Sequence, residues 1–401
     1  MPSIDEQLNL LSRRTERLIS PEELKKKLER SAKTGKPLRI KLGMDPTAPD
    51  VHLGHAVPLQ IIRQFQDWGH KAVLIIGDYT ARVGDPTGRN TTRPELSGEE
   101  IDANAKTYVA QVGKILRTEP DALEIRYNGE WLGKMSMIDI IKLLSRKSVA
   151  QLLAREDFAT RFKQEVDIRL HELVYPLLQG WDSVMIDADL EMGGSDQLFN
   201  NLVGRELQKE LGRDGQCVLV TPLLVGTDGT AKMSKSKGNY IGVTDPPSGQ
   251  NGMFGKIMRV PDALLETYYT LLTDLPTEDF VAQIRTAPRD AKIRLARHVI
   301  SWLHDSGAAD AAEAEFRKVI VDGGIPDDMP ELSVGGGSHK LPPLLAQAGF
   351  VASNSEGIRK IKEGAVKLDG EKVPADAFNR EFPFTQPRVL QLGNRKFVRV
   401  R

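Results

Sequence analysis

Residues 38–77 read LRIKLGMDPTAPDVHLGHAVPLQIIRQFQDWGHKAVLIIG, and the rest of the chain is interpreted from this stretch. Residues 38–44 predict a short strand, the proline-rich turn after them ends it, and a helix follows to Trp68. Pro58 lies inside that helical pattern and predicts a kink or a late helix start. The uninterrupted apolar run at 72–77 is typical of a strand that is covered on both faces.

Apolar runs recur along the chain and alternate with helical segments. They lie at 123–127, 184–186 and 217–220. Strands that alternate with helices predict an α/β fold with a mostly parallel sheet. Ligands bind such sheets at the carboxyl ends of the strands, where we expect residues 45–55 and 78–93.

The remaining segments have other patterns. Residues 5–34 predict a charged amphipathic helix, with Ser20-Pro21-Glu22-Glu23 as an N-terminal signal. Residues 245–324 are helical in pattern and carry few strand signals. The polar segment 327–338 ends in Gly-Gly-Gly-Ser and predicts a flexible linker, with an ordinary long surface loop as the alternative.

The C-terminal tail has its own pattern of structure. Residues 341–348 and 355–363 predict two short helices, and Ser353 and Glu356 are spaced as a capping box before the second. Residues 366–373 predict a hairpin with a tight Asp-Gly turn.

Charge is balanced over the chain but not along it. The 401 residues include 55 bases and 55 acids, which argues against indiscriminate polyanion binding. Residues 341–401 hold eleven Lys/Arg and six Asp/Glu, a net charge of +5, so the other 340 residues carry −5. This asymmetry predicts a polyanion-binding module at the C-terminus.

The composition also indicates a compartment. No apolar run approaches the length of a membrane span, and the first twenty residues mix acids and bases without a signal-peptide core. The single Cys217 excludes an internal disulfide framework and a cysteine-cluster metal site. We therefore expect a cytoplasmic protein without membrane association.

His52-Leu53-Gly54-His55 places two imidazoles and a glycine where a helix is predicted to begin. A helix start offers free N–H groups to phosphate, and a glycine lets a ribose or base approach the backbone. The imidazoles can donate hydrogen bonds to phosphate oxygens in the transition state. The alternatives are a metal site, for which no third ligand lies nearby in sequence, and two histidines without a role.

Lys232-Met233-Ser234-Lys235-Ser236 lies in a segment rich in small, polar and glycine residues, which is typical of a mobile loop. Two lysines can hold a leaving pyrophosphate after such a loop closes. A solvated basic loop is the alternative, and the order of these five residues argues against it. Together the two segments predict an enzyme that cleaves ATP between its α- and β-phosphates.

With these two segments as its HIGH and KMSKS motifs, the chain resembles the class I aminoacyl-tRNA synthetases. Within that class it resembles the bacterial tyrosyl enzymes, whose C-terminal S4 domain its tail also resembles. The motifs that carry the narrower resemblance are residues 43–55 (GMDPTAPDVHLGH), Gly84-Asp85-Pro86-Thr87-Gly88, Tyr175-x-x-x-Gln179-x-x-Asp182 and Gly193-Gly194-Ser195-Asp196-Gln197.

The resemblance implies an architecture and a reaction. It implies a Rossmann-like catalytic domain at 1–240, a helical anticodon-binding domain at 241–325, a linker at 326–340 and an S4-like domain at 341–401. A homodimer with an interface within roughly 130–170 is also implied. The reaction would join L-tyrosine to tRNA(Tyr) through tyrosyl-adenylate, with ATP and Mg²⁺ as a substrate complex and no tightly bound cofactor.

The resemblance also implies roles for single residues. Tyr175, Gln179 and Asp182 are spaced so that one helix face presents all three, and a carboxylate there can accept a hydrogen bond from a phenol. The expected catalytic residues are His52, His55, Lys232, Lys235, Thr47, Arg89 and Arg93. Those expected to bind ATP are Asp45, His52, Gly54, His55, Gly194, Asp196, Lys232 and Lys235. Those expected to bind tyrosine are Asp85, Tyr175, Gln179, Asp182, Gln197 and Lys41, and those expected to bind RNA are Arg359, Lys360 and Lys362.

Two residues depart from the family pattern. Lys41 stands where many members have a tyrosine that touches the substrate phenol, so it either pairs with Asp182 or turns away. Arg89 replaces a lysine of many members.

Three other functions stay open at this point. A tryptophanyl enzyme shares the fold, although Gln179, the Gly-Gly-Ser-Asp-Gln segment and the tail favour tyrosine. A non-catalytic RNA-binding protein on a synthetase scaffold conflicts with the intact HIGH and KMSKS segments. Another nucleotidyltransferase with a HIGH motif has no use for the anticodon-binding and S4-like regions.

Overall fold

A computed structural model describes residues 2–47, 49–87, 97–249, 251–326, 329–394 and 396–401. The chain divides into two compact units, the first formed by Met1–Thr244 with Ala263–Phe280 and the second by Asp245–Asp262 with Val281–Arg401. The first unit includes residues 263–280, part of the segment expected in the helical domain, and the expected boundary at residue 240 stays a prediction.

Helices account for most of the regular structure in both units. None of the described helices combines the length and hydrophobicity that a bilayer crossing requires. In chain order the α-helices are α1 Ile4–Ser12, α2 Pro21–Thr34, α3 Leu53–Asp67, α4 Thr80–Val83, α5 Gly98–Val112, α6 Gly129–Leu132, α7 Met137–Leu144, α8 Val149–Leu153, α9 Glu156–Lys163, α10 Leu170–Met185, α11 Leu198–Glu210, α12 Met253–Ile257, α13 Leu265–Leu272, α14 Thr277–Thr286, α15 Pro288–Leu303, α16 Ser306–Phe316, α17 Leu341–Gln347 and α18 Asn354–Lys362.

The strands form one sheet in the first unit and two in the second. They are β1 Arg17–Ile19, β2 Arg39–Met44, β3 Lys71–Ile76, β4 Leu123–Tyr127, β5 Leu190–Gly194, β6 Cys217–Thr221, β7 Glu331–Leu332, β8 Ser338–Lys340, β9 Val366–Leu368, β10 Glu371–Lys372, β11 Glu381–Pro383, β12 Arg388–Leu392 and β13 Lys396–Val400.

The sheet of the first unit has the order β1-β6-β5-β2-β3-β4. Strands β2 to β6 run parallel, and only the edge strand β1 is antiparallel. Its central strands are almost wholly buried because helices cover both faces. The predicted α/β fold is confirmed. The carboxyl ends of β2, β3 and β5 lie at one edge, where the segments with the predicted site residues begin.

Two predictions about this unit were wrong. Residues 184–186 end helix α10 instead of forming a strand, and the strand is β5, further along the chain. Its sequence, Leu-Glu-Met-Gly-Gly, was missed because a buried Glu191 and two glycines interrupt the apolar pattern. The expected helix over 5–34 is divided by β1, which gains its backbone hydrogen bonds from β6.

Helix α3 begins where the sequence predicted. His52 is its N-cap residue, and the helix continues through Pro58, so the alternative of a late start is wrong. Pro58 removes one backbone donor from the helix but does not end it.

The second unit contains α12, α15 and α16, followed by the tail. The tail's five-stranded sheet has the order β10-β9-β12-β13-β7, and β8 pairs with β11. A separate hydrophobic core joins this sheet to α17 and α18, with Leu341, Leu345 and Ile361 wholly buried.

The tail predictions were largely correct. Helices α17 and α18 and the β9–β10 hairpin are present, with Asp369 and Gly370 at φ 55° and 88° in the turn. Ser353 caps α18 as expected, but the Glu356 carboxylate accepts from the Ala352 N–H instead of completing the box. The segment predicted as a flexible linker contains β7 and β8, which pair with β13 and β11.

Candidate active site

A cavity of about 790 Å³ lies at the carboxyl ends of the parallel strands in the first unit. Its lining includes the start of α3, one face of α10, the segment after β5 and residues 232–237. Of the residues predicted to act in catalysis or to bind ATP or tyrosine, the cavity lining includes Asp45, Thr47, His52, Gly54, His55, Asp85, Tyr175, Gln179, Asp182, Gly194, Asp196, Gln197, Lys232 and Lys235. Arg89 and Arg93 lie outside the described residues.

The two histidines stack at the start of α3. Their ring centroids are 3.8 Å apart, and the backbone N–H of His52 donates to His55 Nδ1 at 3.3 Å. Burial lowers the pKa of His52 to about 2 and that of His55 to about 4, with the Lys232 charge acting in the same direction. Both imidazoles are therefore neutral at physiological pH, and each keeps one N–H that can donate to a phosphate.

Gly54 leaves room for the His52 ring. A Cβ atom at Gly54 would lie 3.0 Å from the His52 ring, closer than side-chain contacts normally come. The missing side chain therefore lets His52 pack against the helix start and leaves the cavity wall open there.

Both lysines of the 232–236 loop form ion pairs across the cavity. Lys232 Nζ lies 2.8 Å from Asp196 Oδ2, and Lys235 Nζ lies 2.6 Å from Asp50 Oδ2. The four side chains are partly exposed, so solvent reaches these pairs and lowers their strength. An anion that entered the cavity could compete with either carboxylate for its lysine.

Asn239 fixes the loop at its base. Its side-chain oxygen accepts from the Ser234 N–H at 2.8 Å, and its amide donates to Asp228 Oδ2 at 2.9 Å and to the Lys232 carbonyl at 3.2 Å.

Asp182 lies at the other end of the cavity, on α10. Its carboxylate accepts hydrogen bonds from Trp131 Nε1 at 2.8 Å and from Asn128 Nδ2 at 3.2 Å. Burial raises the pKa of Asp182 to about 7, and the nearby Lys41 charge partly opposes that rise. The carboxylate is fixed in orientation and can accept a further hydrogen bond from a ligand.

Tyr175 and Asp45 connect the two sets of predicted residues. The Tyr175 hydroxyl donates to Asp45 Oδ2 at 2.8 Å, and Thr80 Oγ1 donates to Asp45 Oδ1 at 2.8 Å. Burial is the main cause that raises the pKa of Tyr175, followed by the charge of Asp45, so its phenol stays protonated. Asp45, which was expected to bind ATP, is therefore hydrogen-bonded to Tyr175, which was expected to bind the substrate tyrosine.

Two glutamines complete this end of the cavity. Gln197 Nε2 donates to Asp85 Oδ2 at 2.9 Å. The Gln179 side-chain oxygen accepts from Asn200 Nδ2 at 3.1 Å. Each amide is therefore held in one orientation by its neighbours.

Lys41 differs from the other predicted residues because it does not line the cavity. Its ammonium group is fully buried and pairs with Glu191 Oε1 at 2.8 Å, so it has turned away from Asp182. Glu191 was missed in the sequence because it stands inside a strand that the apolar pattern did not reveal.

The residues predicted to bind RNA lie on α18 of the second unit. Arg359 and Lys360 both pair with Glu363, and Lys362 Nζ lies 4.8 Å from the centre of the Phe378 ring. Their cationic groups are on the surface of the tail.

Within the described ranges, no three His, Cys, Asp or Glu side chains come together as a metal site would require. The His52–His55 pair therefore has no third ligand among these residues, and stacked rings are a poor geometry for two ligands of one ion.

Comparison with known proteins identifies the family. Residues 32–320 match the family described as tRNA synthetases class I (W and Y). The chain is 48% identical to the tyrosine–tRNA ligase of Bordetella pertussis, over 100% of this chain and 97% of the relative. It is 50% identical to the tyrosine–tRNA ligase of Deinococcus radiodurans, over 99% and 96% of the two chains.

A solved structure shows the same relationship. The tyrosyl-tRNA synthetase of Archaeoglobus fulgidus, complexed with L-tyrosine, superposes with a TM-score of 0.63 at 25% identity and covers 77% of this chain and 99% of its own. The chain belongs to the class I tRNA synthetases of the tryptophan and tyrosine group and, within it, to the tyrosine–tRNA ligases.

Proposed function

We propose that this enzyme activates L-tyrosine with ATP and transfers the tyrosyl group to the 3′-terminal adenosine of tRNA(Tyr). The observation that carries the proposal is one cavity with two chemically different ends. One end has a buried, hydrogen-bonded Asp182, and the other has His52, His55 and the two lysines. The first suits a phenol, and the second suits a triphosphate.

At the tyrosine end, the Asp182 carboxylate accepts the hydrogen bond of the substrate hydroxyl. A ligand without that hydroxyl would leave a buried carboxylate short of a donor, which is the basis of discrimination against phenylalanine. Tyr175, Gln179 and Asp85 are proposed to bind the α-ammonium group. Gln197, which donates to Asp85, is proposed to contact the substrate carboxylate.

In the activation step, the tyrosine carboxylate oxygen attacks the α-phosphorus and the bond to the β-phosphate oxygen breaks. The products are tyrosyl-adenylate and pyrophosphate. His52 and His55, both neutral, donate hydrogen bonds as charge moves onto the phosphate oxygens. Lys232 and Lys235 exchange their carboxylate partners for the leaving pyrophosphate. Thr47, Arg89 and Arg93 are proposed to assist there, and Gly194 and Asp196 to contact the nucleotide.

In the second step, a ribose hydroxyl of the terminal adenosine attacks the tyrosyl carbonyl and AMP leaves. No covalent intermediate with the enzyme is needed, because binding the reactants in line provides most of the acceleration. ATP is proposed to bind as its Mg²⁺ complex. The cytoplasm, where tRNA is used, is the proposed location.

A homodimer is the proposed assembly. Between residues 137 and 170 the first unit exposes several large apolar side chains, among them Met137 at 73%, Phe162 at 66% and Leu170 at 81%. Exposing so many apolar side chains to water is unfavourable, and such a cluster is typical of a surface that a partner subunit covers. Sedimentation of a Phe162→Glu variant tests this: a monomer supports the proposal, and an unchanged dimer contradicts it.

The second unit is proposed to bind tRNA through an anticodon-binding part within residues 241–325 and an S4-like part within residues 341–401. The net charge of +5 in the tail supports this, as do the exposed cations of α18. Phosphate contacts from such residues position a nucleic acid without reading its sequence.

ATP–pyrophosphate exchange with each of the twenty amino acids tests the function directly. Only tyrosine should support exchange. Exchange with tryptophan alone would favour the related tryptophanyl activity, and no exchange with any amino acid would favour a non-catalytic RNA-binding protein. A charging assay with tRNA(Tyr) on the same sample then tests the second step.

A further inference from the structure

We propose that the buried Lys41–Glu191 ion pair is a positioning element of the tyrosine pocket, which holds the 179–183 segment of α10 in place and balances the charge behind Asp182. The inference rests on the proposed function and adds two residues to it. Neither of them lines the cavity, so both would act through α10 and Asp182.

The pair is built into the centre of the sheet. Lys41 of β2 and Glu191 of β5 are direct partners in the parallel register. Their side chains are 0% and 1% exposed, and Nζ lies 2.8 Å from Oε1. Two charges so deeply buried are costly to desolvate, and a pair of apolar residues would fill the space without that cost. We therefore expect the ion pair to have a role other than stabilising the fold.

Most of the remaining hydrogen bonds of the pair are with residues of α10. Lys41 Nζ also donates to the Gln179 carbonyl at 2.9 Å and to Ser183 Oγ at 2.7 Å. Ser183 Oγ donates to Glu191 Oε2 at 3.0 Å, and Gln216 Nε2 donates to the same oxygen. Asp182 lies between Gln179 and Ser183 in sequence, so the pair holds α10 on both sides of it, through the Gln179 carbonyl and the Ser183 hydroxyl.

The pair also sets the charge near Asp182. The Lys41 ammonium favours the ionised carboxylate, whereas Glu191 opposes it, and the pKa of Asp182 is about 7. Only the ionised form is purely an acceptor for the tyrosine hydroxyl. The charged or titratable groups that face the same region are Lys41 of β2, Glu191 of β5, Asp45 and Asp85 of the loops, and Tyr175 of α10.

The sign of each variant's effect follows from these charges. Lys41→Met removes the positive charge, so the pKa of Asp182 rises and a higher pH is needed to ionise it. Glu191→Gln removes the negative charge and has the opposite effect. A double Lys41→Met/Glu191→Met variant loses both charges and should fold well, since apolar pairs replace buried ion pairs without great loss.

The experiment is the pH profile of kcat/KM for tyrosine in ATP–pyrophosphate exchange, with the full chain. Lys41→Met should move the acidic limb to higher pH by about one unit and raise the KM for tyrosine at least tenfold, while the KM for ATP changes little. Glu191→Gln should move the limb to lower pH. The double variant should show a smaller displacement than Lys41→Met.

A matched control separates this role from stability alone. Arg161 and Glu172 form another buried ion pair, and Glu172 also lies on α10. Glu172→Gln should lower the melting temperature but leave the acidic limb in place.

The possible outcomes decide separate questions. If the acidic limbs of the kcat/KM pH profiles coincide in the parent, Lys41→Met and the double variant, the positioning role is overturned. A parent without tyrosine-dependent exchange would instead refute the proposed function itself, and this inference with it.

Discussion

The two ends of the cavity are built in different ways. At the tyrosine end, Asp182, Tyr175 and Gln197 are held by hydrogen bonds to neighbours on three separate segments of the chain. At the ATP end, Lys232 and Lys235 project from a loop and form partly exposed ion pairs. The first arrangement is already complete without substrate, whereas the second, under the proposed function, must change partners when ATP arrives.

Because of this difference, we expect the tyrosine end to select the substrate and the ATP end to accelerate the reaction. A rigid acceptor discriminates because an incorrect ligand leaves it unpaired. A lysine that exchanges one anion for another contributes little to ground-state binding and can still stabilise charge that develops late. Variants at the two ends should therefore differ in which kinetic constant they change.

The largest effect is expected from Asp182→Ala. Discrimination established for tyrosyl enzymes reaches about 10⁴–10⁵ when a site hydrogen-bonds the substrate hydroxyl. We expect a severe loss of kcat/KM for tyrosine and a much smaller change for phenylalanine, measured by ATP–pyrophosphate exchange.

The control is Asp67→Ala, which removes an exposed carboxylate that pairs with Arg63. It should leave exchange unchanged. Normal tyrosine activation by Asp182→Ala would show that another group accepts from the phenol.

The next largest effect is expected from Lys235→Ala. Removing one group that stabilises transition-state charge costs about 10²–10³ in kcat. The apparent affinity for ATP should fall far less, because Asp50 competes for the same ammonium group in the free enzyme. Pre-steady-state measurement of adenylate formation gives both quantities.

Lys25→Ala, which removes an exposed ion pair with Asp5, is the matched control. If Lys235→Ala loses only ATP affinity, the lysine acts in ground-state binding. The two ends of the cavity would then work in the same way, contrary to the comparison above.

The sequence predicted the ATP end more completely than the tyrosine end. His52, Lys232 and Lys235 stand in short ordered segments, and a turn or helix start can be recognised locally. The partners of Asp182 come from β4–α6, far away along the chain, and Trp131 and Asn128 have no local pattern that reveals them. Only the packing of α10 against that segment brings these side chains together.

The same reasoning explains the errors in the fold. The apolar runs of β3 and β6 were visible because burial on both faces requires them. Strand β5 was not visible because Glu191 is compensated by Lys41 on the adjacent strand, a contact that depends on sheet register. The pairing of β7 and β8 likewise depends on strands that lie much later in the sequence.

The pH dependence should also differ between the ends. Asp182 has a pKa of about 7, raised by burial, so kcat/KM for tyrosine should rise about tenfold per unit below pH 7 and level off above it. His52 and His55, with pKa values of about 2 and 4, are neutral throughout this range.

Comparing the histidine NMR signals of the parent with those of His52→Asn assigns the His52 signal, and neither this signal nor that of His55 should titrate between about pH 5.5 and 8 in the parent. An inflection of the His52 or His55 signal near the ordinary pKa of histidine would contradict the burial of that ring. The ATP end would then also be sensitive to pH in this range.

The tail offers a test that should affect neither end. A variant with Arg359, Lys360 and Lys362 all changed to Ala should keep tyrosine and ATP kinetics and weaken tRNA binding by about tenfold. The salt dependence of binding should also decrease, since fewer phosphates are neutralised. Exchange and tRNA charging are measured on the same sample.

Changing Lys367, Lys372 and Lys396 to Ala provides a comparison of equal charge elsewhere in the tail. Equal losses of exchange and charging in the α18 variant would indicate a structural role for that helix instead of RNA binding.

The smallest effect is expected from Asp50→Asn, which removes the carboxylate partner of Lys235 and keeps the lysine. A partly exposed ion pair is worth about 0.2–1 kcal/mol, so ATP should bind at most about fivefold more tightly once it no longer competes with Asp50. The gain should shrink in high salt, because salt already weakens the pair in the parent. Stopped-flow titration with ATP at two salt concentrations measures both effects. A loss of ATP affinity in Asp50→Asn would mean that the carboxylate orients Lys235 towards the nucleotide, and the ATP end would then be preorganised like the tyrosine end.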